Sequence, residues 1–193
     1  IHLRNSEKKS SFIKNKNADT LKHEISIGEV MSNTKIKLIS GEHIVNIGNN
    51  AVLNLTDKKN NAIIQDSLSQ KEVKLQGNKI NTLIVPFGQR TSIILADGSR
   101  AYLNSGTEIK FPTTFTGKSR EISVKGEIFI EVTKQSRPFI IHTPNSRINV
   151  FGTSFNVSSY ADEDKESVVL VTGSVEITNN DHSLMLKPNE MAE

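Results

Sequence analysis

Apolar side chains alternate with polar ones in the stretch from Arg120 to Val157. Its first third places five branched residues two or four positions apart, namely Ile122, Val124, Ile128, Ile130 and Val132. In an extended chain such positions share one face, whereas an amphipathic helix needs apolar positions three and four apart. Branched Ile and Val side chains also fit a pleated surface well. The stretch therefore predicts a strand with one buried face.

Short apolar alternations continue through most of the chain from residue 25 onward. They are separated by Gly, Asn and Asp, which adopt the positive φ angles of tight turns at low cost. The pattern predicts strands at Ile25 and Ile27, Ile36 and Leu38, Ala51 to Leu55, Ile63 and Ile64, Val73 and Leu75, Glu108 to Phe111, Phe139 to His142, Ile148 to Phe151, Phe155 to Tyr160, Ser167 to Val171, Ser174 to Thr178 and Leu184 to Leu186. No segment of ten or more residues has helical periodicity, so we expect little helix.

The dipeptide Asp97-Gly98 lies between two apolar segments and is typical of a two-residue hairpin turn. Counting outward from that turn pairs Leu95 with Arg100 and Ile94 with Ala101. Both faces of the hairpin would then carry apolar side chains. The sequence therefore predicts a hairpin that is covered on both sides.

One pattern occurs twice, 47 residues apart. The two copies are Ile122-x-Val124-x-Gly126-x-Ile128-x-Ile130 and Val169-x-Val171-x-Gly173-x-Val175-x-Ile177. A glycine inside an alternating strand usually marks a bulge, a bend or a close backbone approach. We predict an all-β fold of many short strands, and both a β-solenoid-like and a sandwich-like arrangement remain open.

The length of 193 residues fits one elongated β domain, or one ordinary domain with a smaller N-terminal extension, rather than two large domains. Residues 1–24 mix charged residues with Asn and Ser, and we expect them to form a leader or linker. We expect residues 25–80 to form N-terminal strands continuous with the main domain, and residues 81–193 to form that β domain.

Charge and cysteine content exclude several classes of function. The net charge of +3 comes from 18 Lys and only 6 Arg, and the Lys are scattered along the chain. A protein that reads nucleic acid more often concentrates its basic residues on one element, so we expect no nucleic-acid partner. The absence of cysteine excludes disulfides and cysteine-bound zinc. Apolar runs such as Leu83 to Phe87 are far shorter than the about 20 residues that span a bilayer.

Residues with catalytic or metal-binding chemistry are not grouped in the sequence. The five histidines, His2, His23, His43, His142 and His182, never lie two, three or four residues apart. The acidic run from Asp162 to Glu166 lacks the glycine of a calcium-binding loop and is better explained as a hairpin tip. Val150 to Ser154 comes nearest to a nucleophile elbow but does not match one. We therefore name no catalytic, cofactor-binding or metal-binding residues, and we expect no enzyme.

A series of motifs occurs in fixed order from Val85 to Pro188. The motifs are Val85-Pro86-Phe87-Gly88, Leu95-Ala96-Asp97-Gly98-Ser99, Tyr102-Leu103-Asn104, Phe111-Pro112, Phe115-x-Gly117, Arg120-x-Ile122-x-Val124-x-Gly126-Glu127, Phe129-x-Glu131-Val132, Arg137-Pro138-Phe139, Phe151-Gly152-Thr153-Ser154-Phe155-Asn156-Val157 with Tyr160, Val171-x-Gly173-x-Val175 and Leu186-x-Pro188. Together they resemble the FecR family. Two positions depart from the family pattern: Tyr102, where Trp is common, and Ile128, where Ala is usual. Both changes keep an apolar side chain.

The resemblance implies a transmembrane anti-sigma factor of the Bacteroidetes type. Such a protein has a cytoplasmic segment that holds an extracytoplasmic-function sigma factor, one inner-membrane helix, a periplasmic β part and a small signalling domain. The chain begins at Ile1 rather than Met, so we expect a fragment that corresponds to the periplasmic β part, with residues 1–24 next to the membrane. The resemblance further implies a TonB-dependent outer-membrane transporter as partner, bound mainly through the signalling domain that would follow Glu193.

A second hypothesis is an all-β module that binds carbohydrate or another surface. Such a module needs an exposed aromatic platform. With no Trp and only two Tyr, the sequence offers few candidates for it.

Overall fold

A computed structural model describes residues 35–55, 60–77, 79–163, 165–179 and 182–193, and within these ranges it contains no helix. These residues form strands β1 Ile36–Ser40, β2 His43–Ile47, β3 Val52–Asn54, β4 Asn61–Gln65, β5 Gln70–Lys74, β6 Ile80–Ile84, β7 Thr91–Ile94, β8 Arg100–Leu103, β9 Glu108–Pro112, β10 Arg120–Glu131, β11 Phe139–His142, β12 Arg147–Val150, β13 Ser154–Ser159, β14 Ser167–Thr172, β15 Val175–Asn179, β16 His182–Leu186 and β17 Met191–Ala192. The all-β prediction is confirmed. The leader at 1–24 and the strand expected at Ile25 and Ile27 lie outside the described residues.

The strands form one curled mixed sheet with two arms that share β10. Arm A has the order β2-β1-β6-β9-β10-β11-β12-β15-β16. Arm B has the order β5-β4-β3-β7-β8-β10-β13-β14-β17. All neighbours are antiparallel except the pairs β10–β11 and β3–β7. Buried side chains from both arms belong to one hydrophobic cluster.

Strand β10 confirms the alternation predicted for it. Its side chains at even positions from residue 120 to residue 130 are all buried, and those at odd positions are exposed or partly exposed. The first half of β10 pairs with β9 and β11 in arm A, and the second half pairs with β8 and β13 in arm B. One continuous strand therefore supplies core side chains to both arms.

Strand β6 begins at Ile80, where the sequence suggests a division between residues 25–80 and 81–193. It pairs with β1 on one side and with β9 on the other. The division itself stays a prediction.

The hairpin of β7 and β8 differs by one residue from the predicted register. Ile93 faces Ala101, and the backbone N–H of Leu95 donates to the Ser99 carbonyl at 2.8 Å, so the loop has three residues. Within it, Gly98 has a φ of +85° and donates to the Leu95 carbonyl. Gly98 thus occupies the left-handed position that is typical of three-residue hairpin loops. The prediction of a hairpin covered on both sides is wrong, because this register buries one face.

The two copies of the repeated pattern fold differently. Around Gly126 the chain runs on as a single strand, whereas Gly173 separates β14 from β15. In β14 the buried side chains are Val168 and Leu170, so the apolar stripe is offset by one position from Val169. The equivalence of the two stripes is therefore not observed.

What the copies share is a corner at which the chain passes from one arm to the other. A Cβ added at Gly126 would lie 2.7 Å from Thr107 Oγ1, and one added at Gly173 would lie 2.8 Å from Thr153 Oγ1. The Thr107 hydroxyl donates to the carbonyl of residue 127, and the Thr153 hydroxyl donates to that of residue 174, both at 3.0 Å. At each corner, a missing side chain lets a threonine hydroxyl bind the backbone that follows the glycine.

Candidate functional site

A buried arginine joins several of the sequence motifs. Arg120 is the first residue of β10, and the alternation of the strand points its side chain into the core. The guanidinium lies 2.6 Å from Asp97 Oδ2, and the two side chains are 0% and 2% exposed. A charge buried this deeply needs a partner of opposite charge and further hydrogen bonds.

The remaining donors of Arg120 bind backbone carbonyls in the connection between β10 and β11. Nε and Nη2 donate to the Arg137 carbonyl at 3.2 and 2.9 Å, and Nη1 donates to the Thr133 carbonyl at 2.9 Å. The guanidinium carbon also lies 5.2 Å from the centre of the Phe139 ring, within the range of a cation–π contact. Arg120 therefore ties the connection to the start of its own strand.

The acidic partner is held just as firmly. The Ser99 backbone N–H donates to Asp97 Oδ1 at 3.0 Å, and the Ser99 hydroxyl donates to Asp97 Oδ2 at 2.8 Å. The Thr133 N–H donates to the same hydroxyl at 3.0 Å. We call the group Asp97, Ser99, Arg120, Thr133, Arg137 and Phe139 the arginine clamp. The groups described bind one another inside the protein, so the clamp acts as scaffold.

A second set of motif residues meets on the outer face of arm B. Phe129 on β10 faces Tyr102 on β8 at one side and Asn156 on β13 at the other. Glu127 lies two residues earlier on the same face of β10. These residues border a cleft of about 470 Å³, which we call the Glu127 cleft. Its lining includes Asn50, Arg90, Tyr102, Asn104, Glu127, Phe129 and Asn156.

Two side-chain amides orient the Glu127 carboxylate. Asn104 Nδ2 donates to Oε2 at 2.6 Å, and Asn156 Nδ2 donates to Oε1 at 3.2 Å. Within the described part of the chain, no Lys, Arg or His forms an ion pair with this carboxylate. Burial, followed by the charge of Glu127, raises the pKa of the nearby Tyr160 hydroxyl. Two neutral amide donors therefore hold the Glu127 carboxylate in a fixed position in the cleft.

The aromatic rings of the cleft are open to solvent on one side. Tyr102 and Phe129 have ring centres 6.1 Å apart with an angle of 34° between the planes. Tyr102 is 46% exposed although it lies in the middle of a strand. The sequence pattern does not predict this pair, because contact between residues on neighbouring strands depends on the register.

Each arm also ends in strands that pair on one side only, as far as the described residues show. At one end these are β16 of arm A and β17 of arm B, each of which has a single partner strand among the described residues. Exposed apolar side chains on and near these strands are Val171, Leu184, Met185 and Met191. A second cleft, of about 880 Å³, runs beside β16 and β17, and Val168, Ile177 and Leu184 are among its lining residues. We call this region the β16–β17 end.

The candidate residues from the sequence do not converge on a metal or catalytic site. In the described ranges, no group of three or more His, Asp or Glu residues could hold a metal ion. His142 Nε2 lies 2.9 Å from Glu121, and hydrogen bonds from Ser119 first and His142 second lower the pKa of that glutamate. His2 and His23 lie outside the described residues.

The acidic run from Asp162 to Glu166 and the stretch from Val150 to Ser154 both contain side chains with hydrogen-bond partners. Glu166 accepts hydrogen bonds from the hydroxyls of Ser146 and Ser159. Thr153, in the stretch closest to a nucleophile elbow, donates its hydroxyl to the Ser174 carbonyl. The described residues also include no helix of the length and hydropathy needed to cross a membrane.

The fold and its polar clusters define an all-β scaffold in which the motif residues mostly bind one another. Residues 78–176 match the family described as FecR protein, and the chain belongs to this family. The matched region contains the whole arginine clamp and every lining residue of the Glu127 cleft except Asn50. The family supports a regulatory role for this chain. No curated protein matches the chain significantly.

Two crystal structures of candidate anti-sigma factors from Parabacteroides distasonis ATCC 8503 are similar to this chain. The structure at 2.50 Å is 33% identical, with a TM-score of 0.58 over 58% of this chain and 54% of the other. The structure at 1.65 Å is 34% identical, with a TM-score of 0.56 over 57% of this chain and 52% of the other. The match thus spans about half the length of each of these proteins.

Proposed function

We propose that this β unit is the periplasmic part of a FecR-like anti-sigma factor. In this role it relays the state of a TonB-dependent outer-membrane transporter across the inner membrane to an extracytoplasmic-function sigma factor. The family match and the two candidate anti-sigma factors support the regulatory role. We further propose that the unit is not an enzyme and that a membrane helix joins it to the segment that holds the sigma factor.

The observation that carries this proposal is the arginine clamp. Its ion pair is buried, and its hydrogen bonds join the hairpin of β7 and β8 to the connection between β10 and β11. Such a network stiffens a scaffold when every group has a partner. The motif residues of the clamp therefore favour a rigid scaffold over a catalytic site.

The strand edges that have no second partner among the described residues give this β unit a place to join another domain. An exposed edge presents unpaired backbone groups that pair readily with a further strand. At the β16–β17 end, the two edges lie beside exposed apolar side chains such as Leu184 and Met185. We propose that a following signalling domain packs here and contacts the transporter, while the β unit supports it.

The transporter can shift the regulator only through a difference in affinity between two states of the regulator. A near-complete switch from 1:99 to 99:1 requires a difference of about 5.5 kcal/mol. In a β unit that deformed easily, binding at the docking end would change the unit itself and would not be passed on to the rest of the regulator. The clamped β unit fits the task because it keeps the docking end and the strands behind it in one arrangement.

The test compares the 193-residue chain with a version extended through the signalling domain. Each is titrated by calorimetry against the purified periplasmic signalling domain of the cognate transporter. We expect tight binding by the extended chain only. Sub-micromolar binding by the 193-residue chain alone would contradict the proposed division of labour.

A matched pair of variants tests the role of the β16–β17 end in the extended protein. Leu184→Lys places a charge on this end, where the side chain is 51% exposed, whereas Leu68→Lys changes a side chain that is 95% exposed in a turn between β4 and β5. A sigma-dependent reporter should lose its response with the first variant only. Equal responses from both variants, with unchanged thermal melts, would refute docking at this end.

A further inference from the structure

We propose that the Glu127 cleft binds a neutral saccharide. This inference does not depend on the relay function, because the cleft lies on the outer face of arm B and shares no lining residue with the cleft at the β16–β17 end. Its volume of about 470 Å³ falls within the about 300–1,000 Å³ that is typical of small-molecule sites.

The aromatic pair supplies one face of such a site. A sugar ring presents apolar C–H groups on its faces, and these stack on exposed aromatic rings. Tyr102 and Phe129 lie side by side on adjacent strands. Their chain neighbours Leu103 and Ile128 are the residues that are buried in the core. An aromatic pair that contributes little to the core and faces a cleft is suited to a ligand with apolar faces.

The polar groups of the cleft suit hydroxyl groups. Each sugar hydroxyl both donates and accepts, and a side-chain amide does the same. Asn50, Asn104 and Asn156 line the cleft together with Glu127, which accepts only. Because Asn104 and Asn156 hold the carboxylate in place before any ligand arrives, little ordering is needed on binding.

The charges in the cleft favour a neutral ligand. Glu127 contributes one negative charge and Arg90 contributes one positive charge to the lining. A cationic peptide side chain would be attracted by Glu127 but repelled by Arg90, and an anionic sugar would meet the reverse. A neutral saccharide can accept from Arg90 and donate to Glu127 without an uncompensated charge.

The rim that carries Arg90 is fixed to the neighbouring loop. The Asn50 N–H donates to the Arg90 carbonyl at 2.8 Å, and the Arg90 N–H donates to Asn49 Oδ1 at 2.8 Å. Hydrogen bonds therefore fix the backbone of this rim, as expected for a preformed site.

The experiment titrates the 193-residue chain with maltohexaose, cellohexaose, xylohexaose and mannohexaose, and follows tyrosine fluorescence and calorimetric heat. The chain has no Trp and only two Tyr, and Tyr102 lies in the cleft. A lysine hexapeptide and a polygalacturonate hexamer serve as cationic and anionic probes. We expect saturable binding of at least one neutral hexasaccharide and none of the charged probes.

The variants Tyr102→Ala and Glu127→Gln should each weaken that binding about tenfold or more, which corresponds to about 1.4 kcal/mol. Phe151→Ala is the matched control, since Phe151 is 50% exposed and lies outside the cleft. It should leave the affinity unchanged. The proposal is overturned if no neutral probe binds, if a charged probe binds in its place, or if Tyr102→Ala and Phe151→Ala behave alike while both remain folded.

Discussion

Replacing Arg120 by Met should destabilise the protein far more than the same change at an exposed arginine. Met has an unbranched apolar side chain like the stem of Arg, but it is shorter and lacks the charge and the donors. The substitution leaves Asp97 buried without its counter-charge, and it removes the donors that serve the carbonyls of Thr133 and Arg137. Removing one partner of a buried ion pair typically costs about 3–5 kcal/mol.

We expect Arg120→Met to lower the free energy of unfolding by an amount in that range. Domains of ordinary stability unfold at a cost of about 5–15 kcal/mol, so the variant should stay folded only in mild conditions. Arg120→Lys keeps the charge but loses the planar fork, so we expect an intermediate loss of about 2 kcal/mol. Because the pair is shielded from solvent, raising the salt concentration should change the stability difference between the wild type and Arg120→Met little.

The assay is urea denaturation followed by circular dichroism, with Arg100→Met as the control. Arg100 is exposed on β8, and its substitution should change stability by no more than about 0.5 kcal/mol. A double-mutant cycle with Asp97→Asn should give a coupling energy of about 1–3 kcal/mol. If Arg120→Met costs under about 1 kcal/mol, or if the cycle shows no coupling, the clamp is not a stiffening element.

Two further predictions concern a corner glycine and an exposed carboxylate. Gly126→Ala combines a φ of +106° with a clash against the backbone and side chain of a neighbouring residue, and in urea denaturation it should lower the free energy of unfolding by about 2–5 kcal/mol. The control Gly88→Ala has a φ of +80° but open space around the added methyl group, so it should cost about 1–2 kcal/mol. Equal losses for the two variants would contradict the clash. Bonds from Ser119 first and then His142 lower the pKa of Glu121 below 4.5, so the carboxylate stabilises the folded state above about that pH and the benefit is lost as pH falls through the folded pKa. The stability difference between the wild type and Glu121→Gln, measured from pH 7 to pH 3, should thus stay within about 1 kcal/mol and vanish at the acidic end, and a difference independent of pH would refute the assignment.

Much of the fold follows from the sequence because alternation reports directly on burial in a strand. The stripe from Ile122 to Val132 is buried as predicted, and the strands of the second half lie close to their expected positions. Register is harder to predict, since it depends on loop conformation. The same dipeptide at Asp97 and Gly98 closes either a two-residue or a three-residue loop, and the structure contains the latter.

The two polar clusters could be anticipated only in part. Arg120 lies two positions before the buried Ile122, so both side chains share one face of the strand. Arg120 is also one of only 6 arginines beside 18 lysines, and both facts suggest a buried role. The Glu127 cleft gives no such local signal, because Glu127 lies on β10, Asn156 lies on β13 and Asn104 directly follows β8, so that residues more than 20 positions apart meet there. The motifs of the FecR resemblance include all three, but the sequence does not show that they meet.

The sharing of β10 between the arms has a mechanical consequence. A strand of 12 residues spans at most about 40 Å, and here one continuous strand, with a corner at Gly126, carries both arms. Neither arm can slide or peel away as a unit without breaking the hydrogen bonds of β10 on both sides. A pull or twist applied at the last strand of either arm is therefore passed on to β10. The two arms then respond to the load together, rather than as two parts that move about a hinge.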